Sequence, residues 1–313
     1  LADYQLTAKP LTKAVVQVYR EASPIMELLK WKTSTQLTQE GVRFDTLPQV
    51  PWRNIGEAFT QLKSNPTPWN ERTHFMGGKI DIPREYVKAE SIVNNRVAQT
   101  EAILKGQAFG FNTAFFRNAP TDDEKAIVGL HYRIHNDLGS NQKFDANLDV
   151  SPDTSVASWQ HKMFDQIDDL MDRVDGNPAE KVLFMGRTLY FRFVSALRSA
   201  NQLFTDKEAG MMYMYYGKGG AKVLQAGYQY DQSTQILKDD ESGTALTGGS
   251  DSSMYCVRFG EPHVAGWLFE APNAEDKGET EDGVNVRTIV RFDPGIYVAS
   301  PRPAAVAYGW TAA

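Results

Sequence analysis

Three aspartates, Asp168, Asp169 and Asp172, spell D-D-x-x-D, a spacing by which a helix can hold magnesium against a diphosphate. Asp165 and Asp175 extend the acidic run. Such a site needs a second acidic helix facing the first, and the sequence offers none, so the run reads as a solvated helix face. His131 and His135 stand where one helix turn would bring both imidazoles to the same side, as metal ligation requires. Only Tyr-Arg-Ile separates them, with no glutamate and no evident third ligand. His74, His161 and His263 are scattered singly. Gly217-Lys218-Gly219-Gly220 lacks the full G-x-x-x-x-G-K-[ST] phosphate loop and reads as a turn. There is no G-x-S-x-G elbow, and Cys256 has no local catalytic signature. No nucleophile, base and oxyanion hole assemble from these parts. The expectation is a protein without catalytic, metal or cofactor-binding residues; a magnesium-dependent enzyme built on Asp168, Asp169 and Asp172 is the rival reading.

The elements that would carry these residues have an unusual order. In residues 83–118, apolar side chains recur at Val93, Val97, Leu104, Ala108, Phe111 and Phe115, in steps that share one helix face. An unbroken run would be roughly 50 Å long. Before it, residues 32–82 alternate and turn without enough apolar content for a core of their own. Val42, Phe44 and Thr46 alternate with polar neighbours, Pro48 and Pro51 break the pattern, and residues 54–70 have the composition of a mobile tip. A lone two-stranded hairpin is marginal in water, yet this one carries Trp52, Phe59, Trp69 and Phe75. Either these rings fold back onto their own domain or they pack against a neighbouring subunit.

At the start, Leu11, Ala14, Val15, Val18 and Tyr19 form an amphipathic helix, interrupted by Ser23-Pro24 and followed by Met26, Leu28, Leu29 and Trp31. This piece is either a terminal helix docked on its own core or an arm reaching another copy. After the spine, Met163, Ile167, Leu170, Met171 and Val174 mark a helix ended by Gly176-Asn177-Pro178. Residues 182–185 make a buried strand, and residues 189–203 a helix behind it. Strands follow at 223–230, 254–259 and 264–269, giving a separate α/β domain over about 151–269. The closing segment alternates at Val284, Val286, Thr288, Val290 and Phe292, resumes at Ile296 and Val298, and predicts a strand pair in a sheet beside the spine.

Composition is that of an ordinary globular protein of about two domains: 313 residues, 42% hydrophobic and 23% charged. No run approaches the ~20 apolar residues of a membrane span, and Leu1 to Lys13 lacks the order of a secretory signal. A single cysteine excludes an internal disulfide, fits a reducing compartment and reads as a buried strand residue. A net charge of −6 argues against a tight, non-specific grip on nucleic acid, though not against lying beside it.

Taken in order, these parts resemble the major capsid proteins of tailed bacteriophages, whose Hong Kong 97 fold is shared by encapsulin shells. Ser23-Pro24-Ile25-Met26 looks like that family's exit from its N-terminal arm. Arg43-Phe44-Asp45-Thr46-Leu47-Pro48, then Pro51-Trp52-Arg53 and Gly56-Glu57-Ala58, resemble its hairpin arm. Residues 111–118 followed by Ile127-Val128-Gly129-Leu130 resemble the end of its spine, except that Asn118 leads into Ala119-Pro120 where the family has Gly-Asp, so a differently built turn is expected. Residues 255–261, the Gly278-Glu279-Thr280 link with Asp282-Gly283, and Pro301-Arg302-Pro303-Ala304-Ala305 resemble the family's closing segments.

The resemblance implies an α+β fold: an N-terminal arm (1–31), an extended β-hairpin loop (32–82), a spine helix with the first part of a peripheral domain (83–140), an apical α/β domain (141–280) and closing peripheral strands (281–313). It implies a major capsid protein that assembles as pentamers and hexamers into an icosahedral shell around double-stranded DNA, within a virion built in the host cytoplasm. Partners would be further copies of the chain, DNA held by weak proximity, and scaffolding, portal and decoration proteins, with no membrane. Inter-subunit contacts are expected at Leu28, Trp31, Trp52, Arg53, Phe59, Trp69 and Phe75. Some family members cross-link a hairpin lysine to a distant asparagine; Lys63 lies in the hairpin, but no partner can be assigned and no cross-link is expected. An encapsulin-like compartment enclosing enzymes is the alternative.

Overall fold

The computed structural model describes residues 10–88, 96–151, 156–201, 203–208 and 211–311. Helices α1 (Pro10–Ala22) and α2 (Pro24–Leu28) open the chain. Ser23 separates them in extended backbone, its Oγ accepting from Met26 N at 3.1 Å, while Pro24 fills the first helical position, where no amide hydrogen is needed. Strands β1 (Trp31–Thr33), β2 (Thr38–Arg43), β3 (Thr67–Arg72) and β4 (Met76–Pro83) lead to the short α3 (Arg84–Lys88) and the spine α4 (Arg96–Arg117). A turn of helix, α5 (Leu130–Tyr132), widens into a π-helical turn at Arg133–Asp137. Then come β5 (Lys143–Asp149), α6 (Val156–Asp172), β6 (Lys181–Met185), α7 (Arg187–Ser199), β7 (Leu203–Glu208), β8 (Met211–Tyr216) and β9 (Ala221–Gln225). The chain closes with β10 (Ser252–Arg258), β11 (Val264–Leu268), β12 (Asn273–Glu279), β13 (Asn285–Phe292), β14 (Pro294–Val298) and β15 (Ala304–Thr311).

The largest sheet has seven strands in the order β5-β15-β10-β6-β9-β8-β7. Strand alternation sends Leu183, Met185, Cys256 and Ala305 to one face, under α6 and α7. Val182, Phe184, Tyr255 and Val306 go to the other, where Phe116 of α4 packs on Phe184 and Tyr255, in one cluster with the buried residues of α1 and α2. Both faces are dry, which is why these strands read as unbroken apolar runs instead of alternating ones. Cys256 is buried in β10, as a strand cysteine was expected to be, and burial pushes its thiol up to about 12.

Four expectations about the elements are corrected. The spine's described helix is Arg96–Arg117, about 33 Å at ~1.5 Å per residue. Leu104, Ala108, Phe111 and Phe115 are buried, but Val97 is 73% exposed, because the helix has run past the core there; Val93 lies outside the described residues. The arm is only β2 and β3 with the segment between them, since β1 runs parallel to β11 and β4 pairs along its length with β13. Strand β11 therefore leaves the apical sheet for a small sheet with β1 and β14. The closing segment divides: β13 lies between β4 and β12 beside the spine, as anticipated, but β14, expected to pair with it there, joins β11 in the small sheet instead, and β15 crosses into the large sheet between β5 and β10.

Of the two readings of the N-terminal helices, the first describes what is found. Tyr19 Oη donates to Gln107 Oε1 at 2.6 Å and Ser23 Oγ to Asn112 Oδ1 at 2.5 Å, and Val15, Tyr19, Ile25 and Met26 are buried against the spine's core. The side chains of Leu11 and Ala14 lie outside the description. At the spine's far end the Ala119-Pro120 departure gives a turn closed by Asn118, whose Nδ2 donates to Asp123 O at 3.0 Å and Ile127 O at 2.9 Å. Gly129 N donates to Asn118 O at 2.8 Å, and any Cβ there would sit 2.7 Å from that same backbone. Phe111 is the hub of the spine's aromatic packing, its ring 5.8 Å from Trp31 and 5.7 Å from Phe292. Phe111→Ala is expected to cost about 3–5 kcal/mol, read as a lower denaturant midpoint at unchanged slope.

Candidate inter-subunit surface

The arm is fastened at its root. Trp69 on β3 sits directly across from Gly41 on β2, where a Cβ would fall 2.4 Å from the indole. The glycine lets that ring lie flat across the hairpin and stack on Tyr297, centroids 5.4 Å apart and nearly parallel. Arg133, buried in the π-helical turn, holds Glu71 with both terminal guanidinium nitrogens, Nη2 to Oε2 at 2.9 Å. Arg43 Nη2 donates to Asp137 O at 2.9 Å, and Trp267 Nε1 donates to Thr73 Oγ1 at 2.9 Å just beyond β3. Charge-assisted and bidentate bonds of this kind set direction as well as energy.

Beyond the root, residues 44–66 contain no strand or helix, and nearly all of them are exposed. Their order is local. Asn54 N donates to Glu57 Oε2 at 2.7 Å around a turn in which Gly56 takes a φ of +91°, a conformation glycine adopts without strain. The Arg53 guanidinium lies 4.2 Å from the Phe59 ring centroid. The Asn54 bonds hold the Glu57 carboxyl below its ordinary range. Leu47, Val50, Trp52, Ile55 and Phe59 project into solvent, Trp52 and Ile55 completely.

The residues expected at subunit contacts therefore separate into groups. Trp52, Arg53 and Phe59 stand together on the tip, with Phe75 exposed near the root. Trp69 and Trp31 have partners in their own chain: Trp69 on Tyr297, and Trp31 on Phe111 and Phe292, with its Nε1 donating to Met26 O at 2.9 Å. Leu28 is partly buried against the main core. For Trp69 the supposed want of a local core is corrected by the Gly41 gap, while for Leu28 and Trp31 docking on the chain's own core, one of the two readings of their segment, is what is found. Sequence reasoning missed Leu47, Val50 and Ile55; their signal was apolar residues recurring in a turn-rich segment without any period.

The residues with chemical spacing are engaged structurally. His131 and His135 lie with ring centroids 4.1 Å apart. Nε2 of His131 faces Thr244 O at 2.9 Å, which can only accept, so Nε2 carries the proton and Nδ1 accepts from Tyr255 Oη at 2.9 Å. Burial pushes this imidazole down to about 4. Among the described residues no group of three or more His, Cys, Asp or Glu side chains is placed to hold a metal ion. Asp169 pairs with Arg173 at 2.9 Å, and Asp168 accepts a hydrogen bond from Tyr216.

Beneath residues 226–251, Arg117 donates to Ile236 O and Leu246 O, each at 2.9 Å, and strapped down with them is Glu241, 1% exposed. Burial raises the Glu241 carboxyl to about 7, outweighing the Ser253 hydroxyl that donates to it. A raised carboxyl binds its proton more tightly when folded. Its stabilising share is thus complete below the ordinary value of 4.5 and lost as pH rises through about 7. His131 works the other way, its share present above 6.5 and lost as pH falls through about 4. Glu241→Gln isolates the first effect: at pH 8 it is expected to gain up to about 3 kcal/mol over the parent in denaturant unfolding, and close to nothing at pH 4.

No protein-family profile matches the chain, and no curated protein matches it in sequence. Its fold is similar to that of the SrpI encapsulin of Synechococcus elongatus PCC 7942, with a TM-score of 0.59 and 13% identity over 94% of this chain and 90% of that one. It is similar to the capsid of a native GTA particle, at TM-score 0.62 and 11% identity over 92% and 89% of the two chains. A chain of Mycobacterium phage Bobi gives 0.57 and 10% over 92% and 90%. At such identities the likeness is one of fold: a mixed helix-and-sheet architecture of the Hong Kong 97 type, found in phage capsids and encapsulins alike.

Proposed function

We propose that this chain is the major capsid protein of a tailed phage, self-assembling as pentamers and hexamers into an icosahedral shell that encloses double-stranded DNA. The observation that carries this reading is the arm: a firmly rooted hairpin whose tip holds Leu47, Val50, Trp52, Ile55 and Phe59 away from any core of its own. Exposed apolar side chains in such number mark a surface that is covered in use. Contacts that reach forward to the next copy close into rings when the rotation fits. Shell building requires no catalytic residue. The −6 charge suits a wall lying beside DNA without gripping it, and scaffolding, portal and decoration proteins would complete a virion assembled in the host cytoplasm.

An encapsulin-like compartment would use the same fold and arm, and the likeness to the SrpI encapsulin supports it equally. Contents separate the two. Electron microscopy of the purified protein should show closed particles, and particles from the producing organism should contain nuclease-protected DNA. Particles filled with an enzyme and free of DNA would establish the compartment instead, and a protein that stays single at every concentration would defeat both.

A further inference from the structure

Residues 238–251 run as a strap to the start of β10, with no strand or helix of their own. Ile236 and Leu237 anchor the near end in the main core. Within the strap itself a single residue is buried, and it is the carboxylic acid Glu241. Polar side chains from four elements fasten the rest. From α4, Arg117 donates to Ile236 O and Leu246 O; from α5, His131 Nε2 donates to Thr244 O, each at 2.9 Å. From α7, Thr188 Oγ1 donates to Asp239 Oδ2, and from β10, Ser252 Oγ donates to Asp239 Oδ1, each at 2.5 Å. The strap thus ties helices lying on opposite faces of the large sheet.

Its carboxylates are served unequally. Asp239 accepts from two hydroxyls, whereas Glu241 accepts from Ser253 Oγ on Oε2 alone, and its Oε1 is buried without a hydrogen-bond partner. The surrounding groups do not fill that gap. Arg117 spends both terminal nitrogens on carbonyls, and Tyr255 gives its hydroxyl to His131 Nδ1. Asp239 and Asp240 bring like charge, with Lys238 4.0 Å from Asp240, and Asp251 is engaged by Thr311. His135, behind His131, turns its Nδ1 to His131 O. An ionised carboxylate so short of donors must regain either its proton or water.

We propose that residues 238–251 are a pH-operated clasp, shut while Glu241 holds a proton and lifted to return the carboxylate to water when that proton is lost. Lifting is the available response, because the strap has no ladder of its own to break, while β6 and β10 beneath it are paired on both sides. Burial holds the shut carboxyl at about 7 against an ordinary 4.5. The open fraction therefore grows by about tenfold per pH unit between those values and levels off above them. His131, pushed down to about 4 by burial, stays neutral across that range. Opening releases Arg117 and His131 together, so the spine's end loses its tie to α7 as pH rises. None of this requires copies of the chain to meet.

Hydrogen exchange of the full chain from pH 5 to pH 8, corrected for the intrinsic pH dependence of exchange, tests the clasp. The amides of Glu241, Ala245 and Gly249 each have a partner within the strap at 2.9 Å. Their protection is expected to fall by roughly tenfold to a hundredfold over that range and to level off above pH 7, while β6 and β10 keep theirs. Glu241→Gln, which cannot ionise, should stay protected throughout; Asp240→Asn should retain a slope. Flat protection in the parent, an equal fall in Glu241→Gln, or a sheet that loosens in step with the strap overturns the inference. Should Glu241→Gln fail to fold, infrared spectra of the parent decide. A protonated-carboxyl band present at pH 6 and lost by pH 8, in step with the strap's exchange, supports the clasp, and the lack of such a band overturns it.

Discussion

Replacing residues 47–63 with a short Gly-Ser turn is expected to leave a folded, soluble protomer that no longer forms large particles. The excised stretch contributes no buried apolar side chain, and its hydrogen bonds are internal to it, as in the Asn54–Glu57 turn. The root stays, because Trp69 on Tyr297 and Arg133 with Glu71 lie outside the cut. Assembly loses the apolar surface of Leu47, Val50, Trp52, Ile55 and Phe59. Full burial of such side chains is worth roughly 1.5–3 kcal/mol each, so several kcal/mol vanish from every copy-to-copy contact. Each 1.4 kcal/mol is about a factor of ten in association, and a shell repeats the loss at every contact. Circular dichroism and thermal melting should match the parent while sedimentation shows only small species. A variant that unfolds outright would mean the tip belongs to the protomer's own core.

The second large effect is expected at the arm's root. Arg133→Met removes the cation from a pair whose members are 8% and 16% exposed, leaving the Glu71 carboxylate among groups that cannot hydrate it. Losing one member of such a pair costs on the order of 3 kcal/mol, because the remaining charge is stranded. Here β3 can swing outward and return Glu71 to water, so the loss should appear as local detachment. Amide exchange in β2 and β3 should quicken by about a hundredfold while β6 and β10 keep their protection. Adding Glu71→Leu should recover most of that protection, since it removes the stranded charge. Unchanged exchange in the hairpin would show that Trp69 alone fixes the arm.

Residue patterns determined the local elements wherever a periodic apolar set met a single continuous surface. Leu104, Ala108, Phe111 and Phe115 on the spine, Met163 to Val174 on α6, and the apolar run of β6 were legible for that reason. The arm was legible too, from the mismatch between its aromatic content and its want of any core. The partners of the strands were not. The largely apolar run of residues 304–311 suits a sheet covered on both faces better than the half-solvated one of β13, but nothing in it says that β5 and β10 are the neighbours. Trp31 and Trp69 look like Trp52 in sequence, and only the parallel seat of β1 on β11 and the gap at Gly41 bring two of the three rings home. Glu241 and His131 likewise acquire their displaced proton affinities from long-range burial, which no neighbouring residue announces. Periodicity is a property of a segment and can be read there, whereas burial belongs to pairs of surfaces distant along the chain and exists only once they have met.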